Sequence, residues 1–95
     1  MWLAILAWLY KSWGLKVYVV YIKTSCPFCL QAVELLQEHG EAYSTVILDE
    51  APDVWDSLKE AYEWNTVPMI FSREEKFSVL VGGYTDLKKY LVPDE

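Results

Sequence analysis

Hydrophobic and polar positions along the chain follow two patterns, one typical of strands and the other typical of helices. The segment KVYVVYI, at residues 16–22, is β-branched or aromatic after its first residue, which predicts a central strand covered on both faces. Similar apolar runs at 43–48, 67–71 and 77–81 predict three more strands. The last two runs are separated by the turn sequence SREEK, so we expect them to form a hairpin.

The segment after the first strand predicts a helix that begins at a proline and ends at a glycine. Pro27 suits the first turn of a helix, because its missing N–H would have no helical partner there. Gly40 is expected to end the helix, since glycine readily adopts the left-handed conformation common at that point. Leu30, Val33 and Leu36 recur at helical spacing, so we expect them to share the buried side.

Two further helices complete the predicted order of elements. One is expected over 51–64, where apolar residues again recur at helical spacing. The other is expected over 86–91, with Thr85 as its cap and Asp86 in its first turn, where negative charge is favoured. Strands that alternate with helices imply a parallel pair with a right-handed crossover. We therefore predict an α/β domain with a four-stranded mixed sheet flanked by helices.

The first ten residues, MWLAILAWLY, are apolar without interruption. They are too few to span a bilayer, which takes about 20 residues, and they lack the basic start of a signal peptide. We expect residues 1–15 to form an extra helix packed on or next to a domain of residues 16–95. The alternatives are a membrane- or partner-contacting helix at residues 1–13, which we do not favour, and a processed or anchoring segment.

The composition indicates one small acidic domain. Of 95 residues, 54 % are hydrophobic, and 14 acidic against 8 basic residues give a net charge of −6. Nucleic-acid binding requires a basic surface, so this balance argues against it. The chain has two cysteines, which are too few for the disulfide framework of a small secreted domain. We expect a reducing compartment, the cytoplasm, and a monomeric chain.

The two cysteines, Cys26 and Cys29, lie where the first strand gives way to the first helix. Backbone N–H groups and the helix dipole at a helix N-terminus stabilise a thiolate and lower its pKa. Cys29 follows one helical turn later, which brings the two sulfur atoms together. A CxxC pair after a strand in this context predicts thioredoxin-like redox chemistry, with Cys26 as the nucleophile and Cys29 as the resolving thiol.

Two other roles for the cysteines are weaker hypotheses. A structural zinc site normally needs four cysteine or histidine ligands. The single histidine, His39, lies about ten residues from Cys29 along the same predicted helix, roughly 15 Å away. We therefore expect no metal. An inert pair of core cysteines is the other alternative.

Three motifs, KTSCPFC, TVPMIF and GGYTDL, occur in this order and together resemble the glutaredoxin family. The resemblance covers residues 16–92 and implies a thioredoxin-like fold and a glutathione-dependent thiol–disulfide oxidoreductase. Phe28 stands where the dithiol form usually has tyrosine, a change that keeps an aromatic wall. The segment GGYTDLKKYL is more similar to compact phage-encoded glutaredoxins than to cellular ones.

The resemblance also implies which residues bind glutathione. Lys23 resembles a lysine near a glutathione carboxylate, and Asp86 resembles the acid that faces the γ-glutamyl amine. Val67 resembles the residue whose backbone pairs with the cysteine part of glutathione, just before a cis proline. The full set assigned to glutathione is Lys23, Phe28, Thr66, Val67, Pro68, Gly83, Thr85 and Asp86.

Other functions stay open beside a glutathione-dependent enzyme that reduces protein disulfides. Trp64 and Asn65 stand near a position where many relatives bind the glycine carboxylate through glutamine or arginine. This departure favours a variant reduced by thioredoxin reductase, and family analogy suggests ribonucleotide reductase as a partner. An iron–sulfur cluster module is less favoured, because Pro27 stiffens the turn between the cysteines. An interaction protein that docks through residues 1–10 is the remaining alternative.

Overall fold

A four-stranded sheet lies at the centre of the domain in the computed structural model, which describes residues 16–92. The strands are β1 Val17–Ile22, β2 Ala42–Ile47, β3 Met69–Arg73 and β4 Ser78–Gly82. The helices are α1 Pro27–Glu38, α2 Pro52–Tyr62 and α3 Tyr84–Leu91, with a 3-10 turn at Leu48–Glu50. Within residues 16–92, no helix is long and apolar enough to cross a membrane. The predicted helix at 1–15 and its membrane-contacting alternative lie outside the described residues.

The sheet order is β2–β1–β3–β4, so β1 lies inside the sheet as predicted. β1 pairs in parallel with β2, with Val20 opposite Thr45, because α1 carries the chain back between them. It pairs antiparallel with β3, with Val20 opposite Ile70. The β3–β4 hairpin, also predicted, closes where the Glu74 N–H donates to the Phe77 carbonyl at 2.8 Å. The predicted mixed sheet is confirmed.

Helices cover both faces of the sheet and close two apolar clusters. On one face, Tyr18 and Val20 of β1 pack with buried residues of α1 and α3. On the other face, Trp55 of α2 packs with Met69 and Phe71 of β3. Alternate side chains of a strand point to opposite faces, which lets β1 contribute to both clusters. Each fully buried side chain of this size contributes about 1.5–3 kcal/mol, so the clusters fix the helices on the sheet.

The buried side of α1 differs from the prediction. Cys29, Ala32 and Leu36 are buried and Val33 is half-buried, whereas Leu30 is 66 % exposed. Residues three, four and seven positions apart share one face of a helix, and Cys29 belongs to the face that meets the sheet. Leu30, one residue further, is rotated by about 100° from it. The helix therefore buries the second cysteine and leaves Leu30 in solvent beside it.

Helix α3 begins earlier than predicted. Gly83 is its N-cap residue, so Thr85, the predicted cap, lies inside the helix and is exposed. The Asp86 carboxylate reaches back and accepts a hydrogen bond from the Gly83 N–H at 3.0 Å. Gly82 has a φ of +123°, and an added Cβ would collide with the Asp86 carboxylate. The pair of glycines therefore allows Asp86 to close the start of the helix.

Candidate active site

Cys26 and Cys29 form a disulfide at the start of α1, with their Cα atoms 5.2 Å apart. Cys26 is the N-cap residue, and its sulfur accepts a hydrogen bond from the Cys29 N–H at 3.2 Å. That N–H is one of the donors at a helix start that have no partner within the helix. In the reduced protein, the same donor and the helix dipole favour a thiolate at Cys26.

The two cysteines differ in accessibility. Cys29 is 2 % exposed, because it belongs to the side of α1 that faces the sheet, whereas Cys26 is partly exposed. A bulky disulfide substrate can therefore reach Cys26 but cannot reach Cys29 without a movement of the helix. This difference suits the predicted roles of an attacking Cys26 and a resolving Cys29.

A carboxylate ties the loop before Cys26 to the chain after β2. Asp49 accepts hydrogen bonds from the hydroxyl of Thr24 and from its N–H, the latter at 3.0 Å. The hydroxyl bond, the N–H bond and the nearby charge of Lys23 hold the pKa of Asp49 below its usual range. Ser25, which follows Thr24 in the chain, has a φ of +59°, which non-glycine residues seldom adopt. The sequence does not single out Asp49, because it lies 25 residues from Thr24.

Lysine side chains contact the ring of Trp55 on the α2 side of the same loop. The ammonium nitrogens of Lys23 and Lys59 lie 5.1 and 5.2 Å from the ring centroid. Cation–π contacts of this kind contribute about 0.5–1 kcal/mol at exposed sites. Lys23 is therefore engaged with α2 in this structure.

A groove of about 210 Å³, the cis-proline groove, contains seven of the eight residues that the family resemblance assigns to glutathione. They are Phe28, Thr66, Val67, Pro68, Gly83, Thr85 and Asp86. The Val67–Pro68 peptide bond is cis, as the resemblance implies. The eighth residue, Lys23, lines a different pocket. The groove thus lies between the aromatic residue of the cysteine motif and the start of α3.

Two further aromatic side chains line the cis-proline groove. Tyr84, the first residue of α3, contacts Phe28 with ring centroids 6.0 Å apart and ring planes 38° apart. Phe28 is 57 % exposed, so this contact supports its ring at the edge of the groove. The Nε1–H of Trp64 is buried and has no hydrogen-bond partner among the described residues. The aromatic residue directly after Gly-Gly is the sequence signal for Tyr84.

A second pocket, of about 380 Å³, opens between β2 and α1 and is lined by both cysteines. Its apolar lining residues are Ile22, Leu30, Val33 and Tyr43, and these define it as the flank pocket. The cis-proline groove adjoins the start of β3, whereas the flank pocket adjoins β2. Because β2 and β3 flank β1 on opposite sides, the two cavities lie on opposite sides of the cysteine turn.

The single histidine lies far from the cysteines along the chain, as the sequence indicates. His39 is the C-cap residue of α1 and is exposed, whereas the cysteines lie at the other end of this helix. Across residues 16–92, no group of three histidine, cysteine, aspartate or glutamate side chains is placed to hold a metal ion.

The chain is similar to known glutaredoxins over most of the described residues. The family model for glutaredoxin matches residues 18–77. Glutaredoxin-2 of Schizosaccharomyces pombe is 34 % identical over 73 residues, which cover 74 % of this chain and 63 % of that protein. A glutaredoxin of Pseudomonas aeruginosa is 33 % identical over 69 residues, which cover 73 % of this chain and 77 % of that protein.

The same likeness extends to solved structures. The crystal structure of a wheat glutaredoxin superposes with a TM-score of 0.71 at 25 % identity, over 97 % of this chain and 82 % of that chain. The predicted thioredoxin-like fold is thereby confirmed. The chain spans less than two thirds of the length of the Schizosaccharomyces pombe relative.

Proposed function

This chain belongs to the glutaredoxin family of thiol–disulfide oxidoreductases, and we propose that it reduces protein disulfides and glutathione mixed disulfides. Glutathione is the proposed reducing co-substrate, and a monomer in the cytoplasm is the proposed working form. The observation that carries the proposal is the cysteine pair itself. Cys26 caps a helix and is partly exposed, and the buried Cys29 is close enough to form a disulfide with it.

The proposed reaction begins with the thiolate of Cys26. It attacks one sulfur of a substrate disulfide, forms a mixed disulfide with that half, and releases the other half as a thiolate that takes up a proton. The Cys29 thiolate then attacks the Cys26 sulfur. This second step forms the intramolecular disulfide and releases the first half of the substrate as a thiol.

Two molecules of glutathione return the protein to its dithiol state. The first attacks the Cys26 sulfur, forms a mixed disulfide with it, and releases Cys29 as a thiol. The second attacks the glutathione sulfur of that mixed disulfide, which frees Cys26 and yields one molecule of oxidised glutathione. The two electrons that reduce the substrate therefore come from two glutathione thiols.

The cis-proline groove supports glutathione as the co-substrate. Glutathione carries two carboxylates and one ammonium group, so its site needs N–H donors and an acid. The start of α3 offers backbone N–H groups, and the exposed Asp86 is an acid in the same groove. Val67, next to the cis Pro68, offers its backbone for strand-like pairing with an extended peptide.

Reduction of a mixed disulfide between glutathione and 2-mercaptoethanol, coupled to glutathione reductase, tests the proposal. Cys26→Ser is expected to abolish turnover, because the partly exposed Cys26 is the proposed nucleophile. Cys29→Ser is expected to keep most of the activity, because glutathione itself can resolve the mixed disulfide at Cys26. A wild-type rate equal to that of Cys26→Ser would contradict the proposal.

The position of Lys23 favours a second candidate function. Lys23 contacts Trp55 and lines the flank pocket, so the cis-proline groove has one cation fewer than the resemblance implies. An enzyme reduced by thioredoxin reductase, with ribonucleotide reductase as one substrate, would not need that cation. The same assay with thioredoxin reductase in place of glutathione and its reductase separates the two functions. Turnover with thioredoxin reductase alone would favour the second.

A further inference from the structure

The flank pocket is larger than the cis-proline groove, and the proposed glutathione reaction leaves it unused. Its volume of about 380 Å³ is within the range of ligand pockets, about 300–1,000 Å³. We propose that it binds an apolar side chain adjacent to the disulfide cysteine of a protein substrate. The proposal rests on the proposed function and specifies which protein disulfides the enzyme prefers.

The position of the reacting sulfur supports this occupant. Cys26 lines the flank pocket, so the cysteine of a substrate in mixed disulfide with Cys26 lies at the pocket. The Cα atoms of two disulfide-bonded cysteines are about 4.4–6.8 Å apart, and the next Cα along the substrate is about 3.8 Å further. A side chain directly before or after the substrate cysteine can therefore reach into the pocket while the mixed disulfide exists.

The chemistry of the lining indicates an uncharged apolar side chain. Ile22, Val33 and Tyr43 provide apolar walls, and Leu30 is 66 % exposed at the mouth. None of the described residues that line the pocket is acidic, although the chain has a net charge of −6. Lys23 is the charged residue on this described lining, and it would repel a lysine or arginine of the substrate. An aromatic or branched aliphatic side chain fits this lining.

Among residues 16–92, the sheet ends at β2 on this side, so a substrate chain can approach there. β2 is the last strand in the sheet order, and Thr45 on this strand is exposed and lines the pocket. A substrate segment that approaches over β2 meets the pocket and Cys26 together. Glutathione, in the proposed reaction, uses the cis-proline groove on the other side of the cysteine turn. The two sides thus allow a protein substrate and glutathione separate binding surfaces.

Single-turnover kinetics of the reduced protein test the proposal without glutathione. Each reaction mixes the dithiol form with one disulfide, and one protein disulfide and two substrate thiols are the products. The substrates are the homodisulfide of a short peptide with phenylalanine on both sides of cysteine, the same peptide with serine instead, and 2-hydroxyethyl disulfide. We expect the second-order rate constant for the phenylalanine peptide to be about tenfold that for the serine peptide, because burial favours the phenylalanine side chain.

Two variants change the flank pocket from different elements. Leu30→Glu places a charge at its mouth from α1, and Thr45→Trp fills it from β2. Both are expected to lower the rate constant for the phenylalanine peptide to about that of the serine peptide. The rate constant for 2-hydroxyethyl disulfide is expected to change by less than about twofold, since it has no side chain to place in the pocket. Val79→Glu, at a 47 % exposed apolar residue of β4, is the matched control. It should leave the rate constants for all three disulfides unchanged.

Each other outcome has a distinct meaning. Equal rate constants for the two peptides in the wild type would overturn the flank pocket as a substrate site. Loss of reaction with all three disulfides in both variants would overturn it too, because the variants would then act on the cysteines themselves. A wild-type protein that reacts with none of the three would contradict thiol–disulfide exchange, and with it the proposed function. A preference for the phenylalanine peptide in single-turnover exchange, together with no turnover in the glutathione assay, would support the flank pocket. It would reject only glutathione as the reducing co-substrate.

Discussion

Asp49 shows how one residue outside the cysteine motif fixes the approach to Cys26. Its carboxylate accepts two hydrogen bonds from Thr24, two residues before the nucleophile, and these bonds lower its pKa in the folded protein. The ionised form therefore stabilises the fold above the unfolded pKa of about 3.9, and this contribution is lost as the pH falls through the lowered folded value. We expect Asp49→Asn to be less stable than the wild type by an equal amount at pH 7 and pH 5.

The same linkage predicts that the difference between Asp49→Asn and the wild type shrinks below about pH 4. Urea denaturation of both proteins at pH 7, 5 and 3 measures the free energies of unfolding. Glu60→Gln removes one charge from the exposed surface of α2 and is the matched control. If the control shows the same pH dependence, the hydrogen bonds to Thr24 are not its cause.

The start of α3 depends on the backbone freedom of Gly82, which has a positive φ that other residues seldom adopt. Alanine at this position would have to adopt a φ of +123°, and its Cβ would collide with the Asp86 carboxylate. We expect Gly82→Ala to lower the free energy of unfolding by roughly 1–3 kcal/mol, measured by urea denaturation. It should also raise the KM for glutathione in the coupled assay, because Asp86 must move.

Gly83→Ala is the control for the Gly82 variant. Gly83 has a φ of −94°, and an added Cβ would lie 3.7 Å from the Pro68 carbonyl oxygen, an ordinary contact. We expect Gly83→Ala to cost less than about 1 kcal/mol, the scale of a changed N-cap. Equal decreases in the free energy of unfolding of the two variants would show that the positive φ of Gly82 is not the cause of the lower stability.

Elements that depend on local periodicity were predictable from the sequence, and features that depend on distant contacts were not. The apolar runs and their spacing predicted the order of strands and helices and the hairpin, because burial on a sheet imposes those periods. The prediction that Leu30 lies on the buried face of α1 was wrong, since the small residues Cys29 and Ala32 meet the sheet instead. The cysteine motif was visible, whereas the bond from Asp49 to Thr24 joins separate loops and has no local signature.

The two apolar clusters contain side chains from every strand and helix within residues 16–92. A domain of this size can bury enough apolar surface to fold by itself. We therefore expect the protein with residues 1–13 replaced by a single methionine to unfold cooperatively in urea and to keep its single-turnover rate with 2-hydroxyethyl disulfide. Tryptophan fluorescence can follow the unfolding, because Trp55 and Trp64 remain after the other three tryptophans are removed.

The truncation also separates the predicted roles of the N-terminal segment. A truncated protein that fails to fold would place residues 1–13 in the core and contradict the expectation. A truncated protein that folds and reacts normally, but no longer binds vesicles or forms complexes that the full chain forms, would assign the segment to association. If the free energy of unfolding falls by about 1–3 kcal/mol with the reaction intact, residues 1–13 pack on the domain as an added helix, because burial of one or two large apolar side chains has that effect. The thiol chemistry of Cys26 is expected to be the same in the last two outcomes. The described residues that form the loop before Cys26, α1, the flank pocket and the cis-proline groove all lie within 22–86.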